Sequence, residues 1–316
     1  MNANNMIANK ILIIGLGLIG GSLARALKNK RVCAQVLGNS RSIDTVNKAI
    51  ERGIVDFGNH DLSTLLQQLE KNDVIVIATP TLSVKVILQQ LHEAVSRGVI
   101  VTDVASVKGS VVQDAQAVFG AVPATFIPGH PIAGSEKSGI DAVNPELFFR
   151  HEVILTPLEN SDPSAANVVT QLWQAVGADV SLMSVTEHDA VLALTSHLPH
   201  MLAYTLVDTL AQRSQNNSVF RYAAGGFKDF TRIAGSDPTM WHDIALANRD
   251  ALLNGLDDFE QHLQDLRKAI ESGDGEHLRD VFTRAKKARE HFGDLYARRR
   301  SENNLTEKHL AEKKSD

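Results

Sequence analysis

The sequence predicts an α/β protein in which a doubly wound parallel sheet is followed by an all-helical domain. Apolar runs alternate with helix-like segments in the first half of the chain, and only helical periodicity follows residue 184. The length of 316 residues suits two domains of about 150 residues each. Hydrophobic residues make up 43% of the chain and charged residues 22%, which is typical of a globular protein.

Seven short apolar runs are the predicted strands. They are Lys10–Gly15, Ala34–Gly38, Asp73–Thr79, Val99–Val104, Thr125–Ile127, Glu152–Thr156 and Asp179–Met183. Amphipathic segments lie between them, among them Ser22–Asn29, Asp44–Arg52, Leu82–Ser96 and Val107–Val118. Runs rich in β-branched residues that alternate with helices are typical of a parallel sheet covered on both faces.

Four segments with helical periodicity make up the second half of the chain. They are Val185–Arg213, Arg221–Ala234, Pro238–Ser272 and His277–Arg299. We therefore predict a sheet domain over residues 1–184, a helical domain over residues 185–296 and a charged tail over residues 297–316. The tail mixes both charge signs with few apolar residues, which predicts a solvated or frayed segment.

Charge and cysteine content exclude several classes of protein. Acidic residues outnumber basic ones by 37 to 32, and a net charge of −5 argues against nucleic acid as the main partner. Cys33 is the only cysteine, which excludes an intramolecular disulfide and suits a reducing, cytoplasmic compartment. The chain has no run of about 20 apolar residues, which predicts no membrane-spanning segment.

The segment from Gly15 to Gly20 matches G-x-G-x-x-G between the first predicted strand and the first predicted helix. In such a turn Gly15 permits the tight bend, Gly17 lets the backbone approach a pyrophosphate, and Gly20 allows close helix–strand packing. The pyrophosphate is expected at the helix N-terminus, where free N–H groups favour an anion. This Rossmann-like arrangement predicts a dinucleotide cofactor. Further candidate cofactor contacts are Leu18, Ile19 and Thr79.

The residues after the second predicted strand bear on the choice between NAD and NADP. Dinucleotide-binding domains that take NAD commonly have an Asp or Glu there, which accepts hydrogen bonds from the adenine ribose. This chain has Asn39, Ser40 and Arg41 instead. Ser40 and Arg41 suit a 2′-phosphate and favour NADP slightly, whereas an exposed Arg41 with Asn39 as the ribose partner would suit NAD.

Two segments at the carboxyl ends of later strands carry candidate catalytic residues. Ser106 follows the fourth predicted strand at the start of a predicted helix, where its hydroxyl can cap the helix or bind a ligand. His130 lies in a loop after the fifth predicted strand, between Gly129 and Pro131. A histidine at this edge of the sheet can accept a proton from a substrate hydroxyl at neutral pH. The alternative is a histidine that only packs the loop.

The helical half adds further polar candidates. His197 and His200 are three residues apart and share one helix face, and Pro199 between them is expected to kink or start a helix. The chain has no H-E-x-x-H pattern and no cysteine cluster, so no metal site is predicted. Arg232 can bind a carboxylate through its guanidinium fork, and Asp229 can orient it or form a surface ion pair with it.

Five separated motifs occur in order along the chain, at Gly15–Gly20, Asp103–Lys108, Gly129–Gly139, Ser196–His200 and Phe227–Trp241. Together they resemble the prephenate/arogenate (cyclohexadienyl) dehydrogenase family of tyrosine biosynthesis, from about residue 10 to residue 295. The resemblance implies oxidative decarboxylation of prephenate or arogenate with NAD(P)+. It also implies a nucleotide-binding domain followed by a helical domain through which two subunits form a homodimer.

The resemblance implies roles for individual residues. His130 is similar to the catalytic histidine that bonds the ring hydroxyl of the substrate, and Ser106 is similar to a serine that contacts the same hydroxyl beside the cofactor. Arg232 resembles the arginine that holds a substrate carboxylate, and His200 resembles a histidine that lines the same pocket. Further residues expected to line or support that substrate pocket are His197, Glu136, Asp229 and Trp241.

Two other functions stay open at this point. A dehydrogenase of the β-hydroxyacid or imine-reductase type would use a lysine of the helical domain, for which Lys228 is the candidate. A non-catalytic dinucleotide sensor would not need His130, Ser106 and Arg232 together. The other histidines belong to no motif and are interpreted as surface or packing residues: His60, His92, His151, His188, His242, His262, His277, His291 and His309.

Overall fold

The structure is a computed structural model that describes residues 6–135, 137–213 and 218–312. The chain divides into two compact units, of which the first ends at Leu252 and the second begins at Leu253. The boundary that the sequence suggests near residue 184 lies inside the first unit and stays a prediction.

Six parallel strands form the main sheet of the first unit. They are β1 Ala8–Ile14, β2 Cys33–Asn39, β3 Phe57–Asn59, β4 Val74–Ile77, β5 Ile100–Asp103 and β6 Phe126–Ile127. Their order is β3-β2-β1-β4-β5-β6, so the sheet grows in both directions from β1 and β4, as a doubly wound sheet does. The parallel, doubly wound prediction is therefore confirmed. Strand β3 was not predicted, because three residues are too few to show a pattern.

Helices follow the strands and cover the two faces of this sheet. They are α1 Leu18–Lys30, α2 Ile43–Glu51, α3 Leu62–Leu66, α4 Val84–Leu88, α5 His92–Ser96, α6 Lys108–Phe119 and α7 Pro163–Ala175. Ile11 and Ile13 of β1 enter one apolar cluster, while Leu12 and Ile14 enter another. Because successive side chains of a strand point to opposite faces, β1 is buried on both sides. The single helix predicted over Leu82–Ser96 is divided into α4 and α5 after a 3₁₀ turn.

A second, smaller sheet corrects the predicted topology. Its strands are β7 Gly129–Pro131, β8 Glu152–Leu155 and β9 Asp179–Leu182, and β7 runs antiparallel to β8. The last two predicted strands therefore do not extend the parallel sheet but pair with each other beside β7. His130 lies in a strand opposite Ile154 and not in a loop. Pro131 is tolerated because β7 is at the edge of its sheet, where a missing N–H donor costs little.

The rest of the described chain is helical, as predicted. Its helices are α8 Val185–Leu192, α9 Leu198–Arg213, α10 Ser218–Arg221, α11 Gly225–Thr231, α12 Pro238–Ala247, α13 Arg249–Ser272 and α14 Gly275–Glu312. A π-helical turn, Ala193–His197, joins α8 to α9 and ends two residues before Pro199, whose ring cannot fit a regular α-helical turn. Helix α14 continues to Glu312, beyond the predicted start of the charged tail at residue 297, and residues 313–316 lie outside the described residues.

One described helical stretch, Val185–Gln212, is long and apolar enough by length and composition to cross a membrane. The sequence prediction that no such segment exists is corrected to that extent. Helices of the same composition also occur in the cores and interfaces of globular proteins. The N-terminal part of this stretch carries His188 and Asp189, whose side chains bond to residues of β7 and α6.

Candidate active site

The turn between β1 and α1 requires glycine at two positions. Gly15 has a φ of +104°, and a Cβ atom there would lie 2.3 Å from the carbonyl oxygen of Ala78. A Cβ atom at Gly20 would lie 1.9 Å from the carbonyl oxygen of Gly15. Any side chain at either position would push the helix away from the strand, which explains the first and third glycines of the motif.

The second glycine of the motif, Gly17, faces open space, since a Cβ atom there would meet nothing within 4 Å. It is the N-cap residue of α1, and among the described residues no side chain caps the helix. Open space in front of free helix N–H groups suits a pyrophosphate. Thr79, just after β4, has a buried hydroxyl that bonds to no described group and is therefore available to a ligand. These residues fit a dinucleotide.

The end of β2 leaves two side chains for the adenosine part of such a cofactor. The side-chain amide of Asn39 donates to the carbonyl oxygens of Asn59 at 2.9 Å and of His60 at 3.2 Å. It therefore ties β2 to the end of β3. Ser40 is half-buried and Arg41 is exposed, both directly after the strand.

A chain of hydrogen bonds joins His130 to two residues of α8. His130 Nδ1 lies 2.9 Å from Nε2 of His188, and His188 Nδ1 lies 2.7 Å from Oδ1 of Asp189. Asp189 Oδ1 also accepts the backbone N–H of Lys108 at 2.8 Å, and Oδ2 accepts that of Gly109 at 2.7 Å. The carboxylate thus caps the N-terminus of α6 from another helix.

Two sequence-based interpretations are corrected by this arrangement. His188 is not a surface or merely packing residue, because its side chain is fully buried and bonded to His130. Ser106 does not cap α6, since that helix begins two residues later and Asp189 binds its first N–H groups. The signal that sequence reasoning missed is the adjacent His188-Asp189 pair near the start of a predicted helix.

A buried ion pair supports the backbone beside His130. The Lys108 ammonium donates to Oδ2 of Asp103 and, at 2.6 Å, to the carbonyl oxygen of Gly129. Asp103 also accepts the N–H of Ala105 at 2.9 Å and the N–H of Gly129 at 3.2 Å. Both charged side chains have no exposed surface. The pair therefore fixes the start of β7 to the end of β5.

Burial determines the protonation states in this cluster. It lowers the pKa of His130 well below its usual 6.5, and electrostatic interactions with the nearby His188 and Lys108 side chains lower that pKa further. Burial also lowers the pKa of His197 to about 4. Burial raises the pKa of Asp189, but hydrogen bonds from His188 and the α6 amides outweigh it and leave that pKa below its usual value. At neutral pH, His130 is therefore uncharged and Asp189 is ionised.

Residues of the helical half lie beside this cluster. Asn248 donates its amide to Nδ1 of His197 at 3.1 Å and to the backbone oxygen of Asp189 at 2.9 Å. His200 stacks on Trp241, with ring centroids 3.5 Å apart and 19° between the planes. Trp241 in turn packs against Val107, the residue after Ser106. The structure thus gathers His197, His200 and Trp241 beside Val107, the chain neighbour of Ser106.

The remaining predicted residues have mixed outcomes. Burial lowers the pKa of His200, and the charge of Arg232 lowers it as well, which puts the exposed Arg232 near that ring. No ion pair joins Asp229 to Arg232 within the described part of the chain, so the predicted orienting role of Asp229 is not observed. Lys228 is exposed. Glu136 lies outside the described residues.

Two family models match consecutive parts of the chain. The model for the prephenate dehydrogenase nucleotide-binding domain matches residues 23–182, and the model for the prephenate dehydrogenase dimerization domain matches residues 184–284. The chain belongs to the prephenate dehydrogenase family. As a member of this family it is an oxidoreductase that uses a nicotinamide dinucleotide. The lysine-dependent dehydrogenase and the non-catalytic sensor are thereby set aside.

Similar proteins of this family are known from several bacteria. Cyclohexadienyl dehydrogenase of Zymomonas mobilis is 38% identical over 282 residues, which cover 88% of this chain and 94% of that protein. The structure of prephenate dehydrogenase from A. aeolicus in complex with hydroxyphenyl propionate and NAD+ has a TM-score of 0.83 at 35% identity, covering 90% of this chain and 98% of that one. The structure of Synechocystis arogenate dehydrogenase has a TM-score of 0.73 at 32% identity, and the match covers 90% of this chain and 99% of that one.

Proposed function

We propose that the protein oxidises prephenate or arogenate with NAD(P)+ and releases carbon dioxide, giving 4-hydroxyphenylpyruvate or tyrosine. The observation that carries this proposal is a buried, uncharged His130 whose Nδ1 is bonded to His188. His130 lies near the carboxyl ends of the parallel strands, the edge of the sheet that also carries the glycine turn. Family membership supplies the substrate class.

His130 has two tasks in this reaction. Its Nε2 accepts the hydroxyl proton while the bound nicotinamide supplies the acceptor for the hydride. Loss of carbon dioxide then leaves an electron pair that makes the ring aromatic and its oxygen a phenolate, to which the protonated His130 can return the proton. Ser106 is proposed to contact the same oxygen. Arg232 and His200 are proposed to hold a substrate carboxylate, which limits the orientations that the ring can adopt.

Turnover with purified substrates tests the reaction directly. We expect the absorbance of reduced nicotinamide to rise when prephenate or arogenate is added with NAD+ or NADP+, and one carbon dioxide to form per nicotinamide reduced. The four combinations also measure the substrate and cofactor preference. Reduction without carbon dioxide release, or no reduction with either substrate, would exclude the proposed function.

We propose a preference for NADP+ because Ser40 and Arg41, and no acidic side chain, follow β2. Arg41→Ala is then expected to raise the KM for NADP+ about 10- to 100-fold, since a charged hydrogen bond contributes about 1.5–3 kcal/mol. The KM for NAD+ should change little. The exposed Arg284 of α14 gives a matched control as Arg284→Ala. An equal rise in the KM for NAD+ and for NADP+ in Arg41→Ala would contradict a role of Arg41 in binding the 2′-phosphate.

The carboxylate-binding role of Arg232 predicts a particular kinetic pattern. Arg232→Ala should raise the KM for prephenate about 10- to 100-fold with a smaller change in kcat, because a contact made equally in substrate and transition state is lost. Arg232→Lys keeps the charge without the guanidinium fork, so its KM for prephenate should lie between those of the wild type and of Arg232→Ala. Arg267, exposed on α13 and paired with Glu271, gives the control Arg267→Ala. An unchanged KM in Arg232→Ala would exclude this role.

We propose a homodimer formed through the helical domain. In the second unit, α13 and α14 expose large apolar side chains, at Leu253, Phe259, Leu263, Ile270, Phe282, Phe292 and Leu295. Several large apolar side chains exposed on the same pair of helices are expected to be covered by another protein surface. Light scattering should give about twice the chain mass of 34.4 kDa. Leu263→Glu should shift the protein toward the monomer, whereas the control Gln261→Glu on the same helix should leave the dimer intact. A monomeric wild type would contradict the proposal.

We also propose a cytoplasmic location. Cys33 is a free cysteine, and burial raises the pKa of its thiol to about 11, so it stays protonated and unreactive. A single unreactive thiol is typical of proteins that function in a reducing compartment.

A further inference from the structure

We propose that His188 and Asp189 form a hydrogen-bonded relay with His130. The relay determines which nitrogen of His130 acts as the base, and it takes up the positive charge that His130 gains during the reaction. The inference rests on the proposed role of His130 as the proton acceptor. His188 and Asp189 do not need to touch the substrate, and they act through His130 as positioning residues.

The hydrogen-bond chain determines the position of each proton. Asp189 is ionised and can only accept, so the proton in its 2.7 Å contact with His188 belongs to Nδ1 of His188. A His188 ring that carries its single proton on Nδ1 has a lone pair on Nε2. That lone pair must accept the proton on Nδ1 of His130, 2.9 Å away. His130 is left with a free lone pair on Nε2, which is the atom that can take a proton from a substrate hydroxyl.

Hydrogen bonds from His188 and from the N-terminus of α6 keep the pKa of Asp189 below its usual value, although the carboxylate is largely buried. Asp189 accepts two backbone N–H groups there, from Lys108 and Gly109, at the positive end of the helix dipole. The approach is so close that a Cβ atom at Gly109 would lie 2.6 Å from Oδ2 of Asp189. The glycine thus makes room for the carboxylate, and the helix favours its negative charge.

The relay also explains how a histidine with a lowered pKa can serve as a base. The charged and titratable groups around His130 are His188, Lys108 and His197, all of which lower its pKa, and Asp189 is the anion at the far end of the chain. When Nε2 of His130 gains the hydroxyl proton, its Nδ1 proton can move to Nε2 of His188. The cation then lies beside the Asp189 carboxylate, and the reverse movement returns the proton to the product oxygen. No proton is gained or lost overall.

The first experiment examines the unsubstituted protein, so it does not depend on how any variant folds. Long-range ¹H–¹⁵N spectra of ¹⁵N-histidine-labelled protein distinguish the two neutral tautomers of a ring. We expect His130 and His188 both to carry the proton on Nδ1 at neutral pH. A proton on Nε2 of His130, or on Nε2 of His188, would overturn the proposal whatever the substrate is.

The second experiment compares two substitutions with a matched control. His188→Gln keeps an oxygen that can accept from His130 but cannot take a proton, and Asp189→Asn removes the charge. We expect kcat with prephenate to fall about 10²-fold or more in each, with KM values nearly unchanged. His242→Gln is the control, because His242 also bonds to the aspartate that follows it, at 3.0 Å, but its side chain is exposed.

The pH profile separates a relay from simple support of the fold. Without the Asp189 anion, the apparent pKa of the base should decrease, so in Asp189→Asn the acid limb of kcat should move to lower pH as the plateau falls. A lower melting temperature with wild-type kcat and an unmoved acid limb would overturn the relay. If His130→Asn is inactive while His188→Gln turns over normally, the relay is wrong and the proposed function stands; if the wild type does not turn over prephenate or arogenate, the proposed function itself is wrong.

Discussion

His130→Asn is expected to lower kcat with prephenate by about 10²–10⁴-fold, because a positioned general base contributes about that much. Asparagine occupies a similar volume and its amide can still bond to His188, so the second sheet and the α8 contact should persist. The amide nitrogen and oxygen cannot accept a proton at neutral pH. The loss should therefore appear in the rate of turnover and much less in the KM for prephenate.

Binding measurements and a control complete this test. The dissociation constant for the dinucleotide should stay within about threefold of the wild-type value, since the glycine turn and Thr79 lie on other elements. His151→Asn, at an exposed position before β8, should retain normal turnover. A His130→Asn protein that retains most of its kcat would exclude His130 as the base.

The burial of His130 also determines how activity should depend on pH. The neutral ring is the active form, and its pKa lies well below 6.5 because the ring is buried and Lys108 and His188 are nearby. We expect kcat/KM to stay nearly constant as the pH falls through 6.5, and to decrease only at more acidic pH, when His130 gains a proton. A decline centred at 6.5, as for an exposed histidine, would contradict the burial of the base.

Much of the fold and part of the site can be predicted because they depend on local sequence. The glycine turn is defined by residues within six positions of one another, and the strand that precedes it is a continuous apolar run. His130 is recognisable because Gly129 and Pro131 fix it after a strand of the parallel sheet. These features follow from backbone geometry and from burial on both faces of a sheet.

Other parts of the site depend on contacts between residues that are distant in sequence. His188 follows His130 by 58 positions, and neither the periodicity of α8 nor a motif distinguishes it from an exposed helical histidine. The cap of α6 comes from Asp189, about 80 positions after the helix start, so the nearby Ser106 was the natural but wrong candidate. The antiparallel pairing of β7 with β8 was not predicted either, because an apolar run in the sequence does not indicate which other strand it pairs with.

The buried pair of Asp103 and Lys108 leads to the largest expected effect on stability. Lys108→Met should lower the free energy of unfolding by about 3–5 kcal/mol, because it leaves a carboxylate buried without its cation. The loss should also reduce kcat, since the Lys108 ammonium holds the carbonyl oxygen of Gly129, the residue before His130. Denaturant unfolding and turnover measure the two effects separately.

The physical cause can be tested by adding a second substitution. Asp103→Asn in the Lys108→Met background removes the unpaired charge while an amide oxygen can still accept a backbone N–H from Ala105 or Gly129. We expect the double variant to be more stable than Lys108→Met alone, although it has lost one more native side chain. Glu271→Ala, which breaks the exposed pair with Arg267, should change the stability by about 0–1 kcal/mol. If the second substitution instead lowers the stability further, hydrogen bonding by Asp103 and not its uncompensated charge accounts for the cost of losing Lys108.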